Sequence, residues 1–314
     1  AFPEGFPVVL ITALANGVYK MAQKNAIVNR MSIIETLGET TVICSDKTGT
    51  ITKGEMTVSK IYADNHIIDV TGAGDEGKGY FVLYNKNINP MKDKILSLLI
   101  KSSVICNDAR IERTGEDNFY NINGTPTEAS LLIMGAKAGI HAEDLDFKKI
   151  EEMPFDSKRK MMSVLCKLEK ENYVFSKGAP EILLKNCKKI QKGWGLSNLT
   201  EREKRRILDM NKELTSNSLR TMAIAYKKVT SFSKDHFEEE LVFLGIVGME
   251  DPPREEIKES ILLCMKAGIK VKMITGDNKE TALAISKRIG LHGGVIEGQD
   301  LDKMTEIELS KIVN

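Results

Sequence analysis

The segment ICSDKTGT, residues 43–50, determines how the rest of the chain is interpreted. Residues 40–45, with the apolar Val42, Ile43 and Cys44 in the middle, predict a short buried strand. The carboxylate of Asp46, the ammonium group of Lys47 and a turn at Gly49 follow at once. In open parallel α/β sheets, ligands bind beyond the carboxyl ends of the strands. We therefore expect a chemically active loop at this strand end.

A second strand with a similar ending lies far along the chain, in IKVKMITGD at 269–277. A helix at 253–268, with a proline in its first turn, precedes this strand, and a helix at 279–289 follows it. Parallel pairing of the two strands would bring Asp46 next to the turn at 275–277. The long segment between the strands is then an inserted domain.

The inserted segment contains strand and helix patterns in mixed order. Strands are expected at 56–70, 221–229 and 241–248, and helices at 91–105, at 127–138 and from a capping box at Thr200 to about Leu214. The predicted fold class is α/β, with an incomplete doubly wound parallel sheet. Its large inserted α+β domain combines an antiparallel sheet with helices.

Composition limits the possible partners. The chain has 314 residues, and its 45 basic and 44 acidic side chains give a net charge of +1, so no chain-wide field attracts nucleic acid. We predict no nucleic-acid partner. The five cysteines form no CxxC pair, which is typical of reduced thiols in a cytosolic setting.

The N-terminal segment from Gly5 to Tyr19 carries no charge over 15 residues, whereas a membrane-spanning helix needs about 20. A buried core helix is one interpretation. The other is half of a membrane helix, opened by Pro3 and Pro7, in which Glu4 binds a transported cation. The segment alone leaves both open.

The loop at 46–50 suits attack on phosphorus. A carboxylate at Asp46 is a workable nucleophile if a cation neutralises the incoming phosphate, and Lys47 supplies positive charge. Thr48 can offer a backbone carbonyl to magnesium, and the Gly49–Thr50 turn can present amide N–H groups to phosphate oxygens. The alternative is an ordinary solvated turn.

Five motifs, taken together, resemble those of the P-type cation-transporting ATPases, in their calcium-pump-like branch. DKTGT resembles the phosphorylation motif of that family, PEGFP its fourth membrane helix, KGAPE its nucleotide domain and DPPR its hinge. The fifth motif is ITGDN. In chain order, the motifs are PEGFP at 3–7, DKTGT at 46–50, KGAPE at 177–181, DPPR at 251–254 and ITGDN at 274–278.

The resemblance implies that Asp46 accepts the γ-phosphate of ATP as an aspartyl-phosphate. Two further groups of site residues are implied in the same way. Lys47, Thr48, Thr275, Gly276 and Asp277 would act around Asp46, with Mg²⁺ held by Asp46 and Thr48. The residues assigned to ATP binding are Glu128, Phe155, Lys160, Lys177, Gly178, Arg220, Asp251 and Arg254. Phe155, in MPFDSKRKMMSV at 153–164, would stack on adenine within what resembles the family's second nucleotide strand.

The resemblance also implies a domain plan. Residues 1–29 would be the cytoplasmic half of a membrane helix and its stalk, and 57–248 the nucleotide-binding domain. Residues 30–56 and 249–314 would form two parts of a haloacid-dehalogenase-like phosphorylation domain. The full-length protein would then be a multi-pass membrane protein, and this segment would lie mostly on the cytoplasmic side. The family's GDGxND loop, its actuator domain and most of its membrane helices are expected outside this sequence, so this piece alone is not expected to transport ions.

Two other functions are compatible with parts of the pattern. A soluble phosphatase of the haloacid-dehalogenase type shares the aspartate nucleophile, but it usually carries an acid two residues later, where this chain has Thr48. A module that only binds ATP is the third interpretation. Glu4 between prolines favours a calcium-like cation, and the sequence does not choose among calcium, manganese and monovalent ions.

Overall fold

The computed structural model describes residues 5–72, 74, 77–114, 119–230, 237–277 and 279–313. Glu4, the predicted ligand of the transported cation, lies outside these residues. The strands β1 to β15 are Val42–Asp46, Thr57–Ala63, His66–Val70, Phe81–Leu83, Lys86–Ile88, Arg110–Thr114, Phe119–Asn123, Phe147–Asp156, Met161–Leu168, Glu171–Gly178, Cys187–Lys192, Gly195–Asn198, Arg220–Val229, Leu241–Glu250 and Lys270–Ile274. The helices α1 to α10 are Phe6–Ala22, Ser32–Gly38, Lys94–Ile105, Pro126–Lys137, Pro180–Asn186, Glu201–Ser216, Ile257–Lys266, Lys279–Ile289, Gly298–Leu301 and Glu306–Val313.

A large sheet occupies the middle of the chain. Its strands run in the order β5-β4-β3-β2-β14-β13-β10-β9-β8, all antiparallel, and β11 adds a parallel pairing beside β14. Strand β14 is almost wholly buried because helices cover both faces of the sheet. Helices α3 and α4 share one core with the sheet, and α5 and α6 share the other. The antiparallel sheet with helices predicted for this segment is confirmed.

The segments that precede and follow the large sheet in the chain form a smaller unit. Strands β1 and β15 pair in parallel, with Asp46 opposite Ile274, as the sequence predicts. Helices α7 and α8 pack on this pair through a small cluster of isoleucines, Ile51, Ile261, Ile285 and Ile289. Two strands do not make a doubly wound sheet, so that finer fold class stays a prediction.

Strand β1 is not buried, so that part of the prediction is wrong. Ile43 is 36% exposed, and Cys44 is also exposed. Among the described residues β1 is hydrogen-bonded to β15 alone, which leaves its other edge open. Apolar residues alone therefore did not predict burial here.

The predicted start of the helix at 253–268 is also wrong. Helix α7 begins at Ile257, and Pro253 instead forms an isolated bridge with Thr52. The Arg254 N–H donates to the Ile51 carbonyl at 3.0 Å. These contacts tie Pro253 and Arg254 to the loop at 51–52, and the helix starts only beyond them.

Helix α1 contains the uncharged N-terminal segment. Most of its apolar side chains are exposed, with Val8 at 65% and Val9 at 68%, and none is buried. Within the described residues, no helix combines the length and the apolar character that crossing a membrane requires.

Candidate active site

The loop after β1 folds back on itself. Asp46 is exposed and extended, and Gly49 has φ of 74°, a conformation that favours glycine. The Thr52 N–H donates to the Lys47 carbonyl at 2.9 Å, and the Gly49 N–H donates to the Thr52 hydroxyl at 3.3 Å. These bonds fix a tight loop immediately after Asp46.

An ion pair joins this loop to the turn after β15. Lys47 Nζ lies 2.6 Å from Asp277 Oδ2, and the Lys47 side chain is only 9% exposed. The turn is ordered by the Asp277 N–H, which donates to Thr275 Oγ1 at 3.1 Å. Gly276 lies between them and is exposed. The two acidic turns predicted from the sequence therefore lie together.

Hard oxygen donors are present at this junction. Asp46 and Asp277 carry carboxylates, and Thr48 carries a backbone carbonyl in an extended conformation. Mg²⁺ prefers oxygen ligands and is usually bound through one or two carboxylates together with substrate phosphates and water. The chemistry of these donors fits magnesium.

Asp251 joins the two segments that connect the small unit to the large sheet. Its Oδ2 accepts from the buried Thr52 hydroxyl at 2.6 Å, and its Oδ1 accepts from the Gly54 N–H at 2.9 Å. Arg254 Nη2 donates to the Gly49 carbonyl at 3.3 Å. The nucleotide-binding roles expected for Asp251 and Arg254 stay predictions. Their structural contacts link the segment before β2 to the segment after β14.

A buried ion pair lies under the large sheet. Lys177 on β10 is 2% exposed, and its Nζ lies 2.5 Å from Oε2 of Glu128 in the first turn of α4. The Asp108 N–H donates to the same oxygen at 3.2 Å. A buried ammonium group requires such a partner, since unpaired burial of a charge is strongly unfavourable. Two residues far apart in sequence are thus brought together as one polar group.

The surroundings of this pair are partly desolvated. Burial, followed by the negative charges of Glu152 and Glu128, raises the pKa of Asp108. Burial also raises the pKa of the nearby Cys106 thiol to about 12, so this cysteine stays protonated.

The segment at 153–164 is a hairpin rather than one strand. It includes the end of β8, a turn at 157–160 and the start of β9. Phe155 is 61% exposed, and Lys160 is exposed with φ of 50°. The turn therefore offers an accessible aromatic ring and an accessible ammonium group.

Strand register places other expected residues at the same end of the sheet. Gly178 pairs with Met161 on β9 and with Ala223 on β13. A Cβ at Gly178 would lie 2.6 Å from the Lys160 carbonyl, so only glycine allows this approach. Arg220 begins β13 and is exposed. Phe155 lies two strands from Gly178, about 10 Å at the usual strand spacing.

Sequence reasoning missed the ion pair that holds the β8–β9 turn. Arg159 Nη1 donates to both carboxylate oxygens of Glu238 at 2.6 and 2.7 Å, and Nη2 donates to the Pro154 carbonyl at 2.6 Å. Glu238 Oε1 also accepts from Ser163 at 2.8 Å. Arg159 lies in a short basic run, and nothing in the local sequence indicates a partner 79 residues away.

Comparisons with known proteins show what the chain is similar to. Residues 96–256 match the family model for the cytoplasmic domain N of P-type ATPases. The chain is 38% identical over 321 residues to Calcium-transporting ATPase 1 of Bacillus cereus, covering 100% of this chain and 34% of that protein. It is 37% identical over 322 residues to a calcium-transporting ATPase of Bacillus subtilis, covering 100% of this chain and 36% of that protein. It is 35% identical over 321 residues to human calcium-transporting ATPase type 2C member 1, covering 100% of this chain and 33% of that protein. The chain thus spans about a third of the length of these relatives.

Proposed function

Because the chain belongs to the P-type ATPases, we propose that it is the part of a cation pump that binds ATP and receives the γ-phosphate on Asp46. One observation carries the proposal: Asp46 ends a strand whose parallel neighbour leads directly to Asp277, and Lys47 ties the two turns together. A nucleophile and its supporting charges are thus fixed on rigid elements.

Asp46 attacks the γ-phosphorus, and ADP leaves. The exposed carboxylate is accessible to a phosphate, and Lys47 supplies positive charge beside it. Thr275 and Gly276 bind phosphate oxygens from the facing turn. Asp46 and the Thr48 carbonyl would hold Mg²⁺, which would supply neutralising charge.

The nucleotide lies at the end of the large sheet that carries the β8–β9 turn. Phe155 stacks on the adenine, and Glu128 lies on the adenine side. Lys177 lines the pocket, Lys160 reaches the nucleotide, and Arg220 lies on the phosphate side. Gly178 acts through its lack of a Cβ, because it lets the turn lie close to β10.

The domain plan and location belong to the same proposal. Residues 57–248 form the nucleotide-binding domain, and 30–56 with 249–314 belong to a haloacid-dehalogenase-like phosphorylation domain. Residues 1–29 form a stalk and half of a membrane helix, with Glu4 at the site of the transported cation. Three relatives are named as calcium-transporting ATPases, which supports a calcium-like cation and a membrane location for the full-length protein.

Phosphorylation of the full-length protein tests the catalytic part. Membranes incubated with radiolabelled ATP, Mg²⁺ and calcium should yield an acid-stable label that Asp46→Asn abolishes. Asp144→Asn, which changes an exposed aspartate far along the sequence, is the matched control and should keep the label. A label that persists in Asp46→Asn would overturn the assignment of the nucleophile.

Nucleotide titration tests the binding part. Phe155→Leu and the double variant Lys177→Met/Glu128→Gln, which removes both charges of the buried pair, should weaken ATP binding. Lys192→Met/Glu203→Gln is the matched control, because Lys192 is also buried and pairs with Glu203 at 2.9 Å on a different helix. Equal affinities in all three variants would remove the pocket assignment.

A further inference from the structure

The turn after α3 connects the end of that helix to the start of α4 through one side chain. Asn107 Nδ2 donates to the Ser103 carbonyl at 3.3 Å and to the Glu128 carbonyl at 3.0 Å. Its Oδ1 accepts from the Ala109 N–H at 2.9 Å. The side chain is half-buried and bonds to the backbone before the turn, after the turn and on the neighbouring helix.

These bonds determine where the Asp108 N–H points. With Asn107 tied to the backbone on both sides, the intervening peptide is held so that the Asp108 N–H donates to Glu128 Oε2 at 3.2 Å. Lys177 Nζ holds the same oxygen from the sheet, at 2.5 Å. Two donors from different elements thus fix the orientation of the Glu128 carboxylate. Since both bonds fall on Oε2, the carboxylate has a second oxygen with which to accept from a bound base.

We propose that Asn107 is a positioning residue for recognition of the purine base, acting through the Asp108 N–H on Glu128. The inference rests on the proposed function. An ionised carboxylate only accepts hydrogen bonds. Adenine presents an amino donor where guanine presents a carbonyl acceptor. A carboxylate held in a fixed orientation therefore favours adenine, and loosening it should reduce the preference for ATP over GTP.

The ratio of ATP affinity to GTP affinity tests this, measured by competition against a fluorescent ATP analogue on the full-length protein. Asn107→Ala should lower the ratio by about 2- to 10-fold, the value of one or two hydrogen bonds. Asn107→Asp keeps the acceptor for Ala109 and loses the donor to Glu128, so it should lower the ratio too. If Asn107→Ala does not fold, the affinity ratio of Asn107→Asp tests the proposal instead.

Asn211→Ala is the matched control. Asn211 is 4% exposed, and its Nδ2 donates to Glu181 at 3.0 Å between α6 and α5. Its loss should lower the melting temperature without changing the ratio. An equal fall of the ratio in Asn211→Ala would show a general structural effect and overturn the proposal.

A double-mutant cycle shows whether Asn107 acts through Glu128. On a Lys177→Met/Glu128→Ala background, which leaves no unpaired buried charge, Asn107→Ala should change the ratio less than it does in the wild type, because the carboxylate that it positions is gone. Fully additive effects, or an unchanged ratio in both Asn107 variants, would refute the inference while ATP binding by the wild type stands. Wild-type protein that binds no ATP would instead refute the proposed function.

Discussion

The carboxyl group of Asp108 lies beside two other acids, and its protonation is linked to stability. Its pKa is raised above its ordinary value of 3.8, mainly by burial and then by the charges of Glu152 and Glu128. As the pH rises from 3.8 to the raised pKa, the folded state binds more protons at this site than the unfolded state does. The free energy of unfolding therefore falls over this range as Asp108 ionises.

We therefore predict that Asp108→Asn stabilises the chain at pH 7. The amide removes the negative charge and keeps the backbone N–H that holds Glu128. Denaturant unfolding at several pH values would measure the difference, which should shrink as the pH falls towards 4. A difference that grows on acidification has the opposite sign and would contradict the assignment.

Close backbone approach at Gly178 gives a second prediction for a single residue. A Cβ there would lie 2.6 Å from both the Lys160 carbonyl and the Met161 Cβ. Gly178→Ala should cost about 1–3 kcal/mol of unfolding free energy through overpacking, and should weaken ATP binding by displacing Lys160. Gly38→Ala is the control, because nothing lies within 4 Å of its Cβ. Equal stability of the two variants would contradict the close approach.

Short motifs predicted some of these residues, and others depend on contacts that motifs do not encode. The resemblance to the family assigns both Lys177, in the motif KGAPE, and Glu128 to ATP binding, but it does not predict their pairing. Asn107 and Arg159 were missed because their partners are set by helix packing and strand register. A sequence pattern names the types of residue at a site more readily than the residues that hold them in place.

At the scale of elements, α6 begins where its sequence predicts. The Thr200 hydroxyl accepts from the Glu203 N–H at 3.3 Å, and Glu203 Oε2 accepts from the Thr200 N–H at 3.0 Å. This capping box is local, so spacing alone identifies it. The helix predicted at 253–268 is present, but its predicted start is wrong because Pro253 bridges to Thr52, which no local pattern shows.

Loss of the capping hydroxyl should therefore be measurable. Thr200→Ala is expected to lower the unfolding free energy by about 1 kcal/mol, because a donor at the start of α6 loses its partner. Thr215→Ala, which changes an exposed threonine near the other end of the helix, should stay within about 0.5 kcal/mol of the wild type. Urea unfolding followed by circular dichroism compares them. A larger loss in Thr215→Ala would show that the cap does not stabilise this helix.

At the scale of the whole molecule, the chain enters the large sheet through β2 and leaves it through β14. These strands pair with each other, with Thr57 opposite Glu250. The large sheet is therefore attached to the small unit through two adjacent strands, and the contacts of Asp251 lie where these strands meet the small unit. The sequence predicted an insertion because a βαβ-like pattern was interrupted. The two hydrogen bonds that Asp251 accepts from Thr52 and Gly54, called the Asp251 clamp below, could not be predicted. They depend on the segment before β2 and the segment after β14 lying side by side.

Removing the clamp should loosen the junction and leave the sheet intact. In Asp251→Ala, the Gly54 N–H loses its acceptor, whereas the Thr52 hydroxyl keeps the Lys47 carbonyl at 3.0 Å and the Gly49 N–H at 3.3 Å as partners. The exposed Gly54 N–H can bond to water instead, so its lost bond costs about 0.5–1.5 kcal/mol. Amide exchange at Gly54 should become faster, while exchange in β10 and β13 stays slow. Glu250→Ala is the control at the neighbouring position. It removes an ion pair with Arg288, whose side chain is 49% exposed, so the loss of stability should be at most about 1 kcal/mol. The two substitutions are at adjacent positions. Faster amide exchange at Gly54 in Asp251→Ala alone would therefore show that the Asp251 clamp holds the large sheet to the small unit. Equal exchange in both would assign that attachment to the β2–β14 pairing instead.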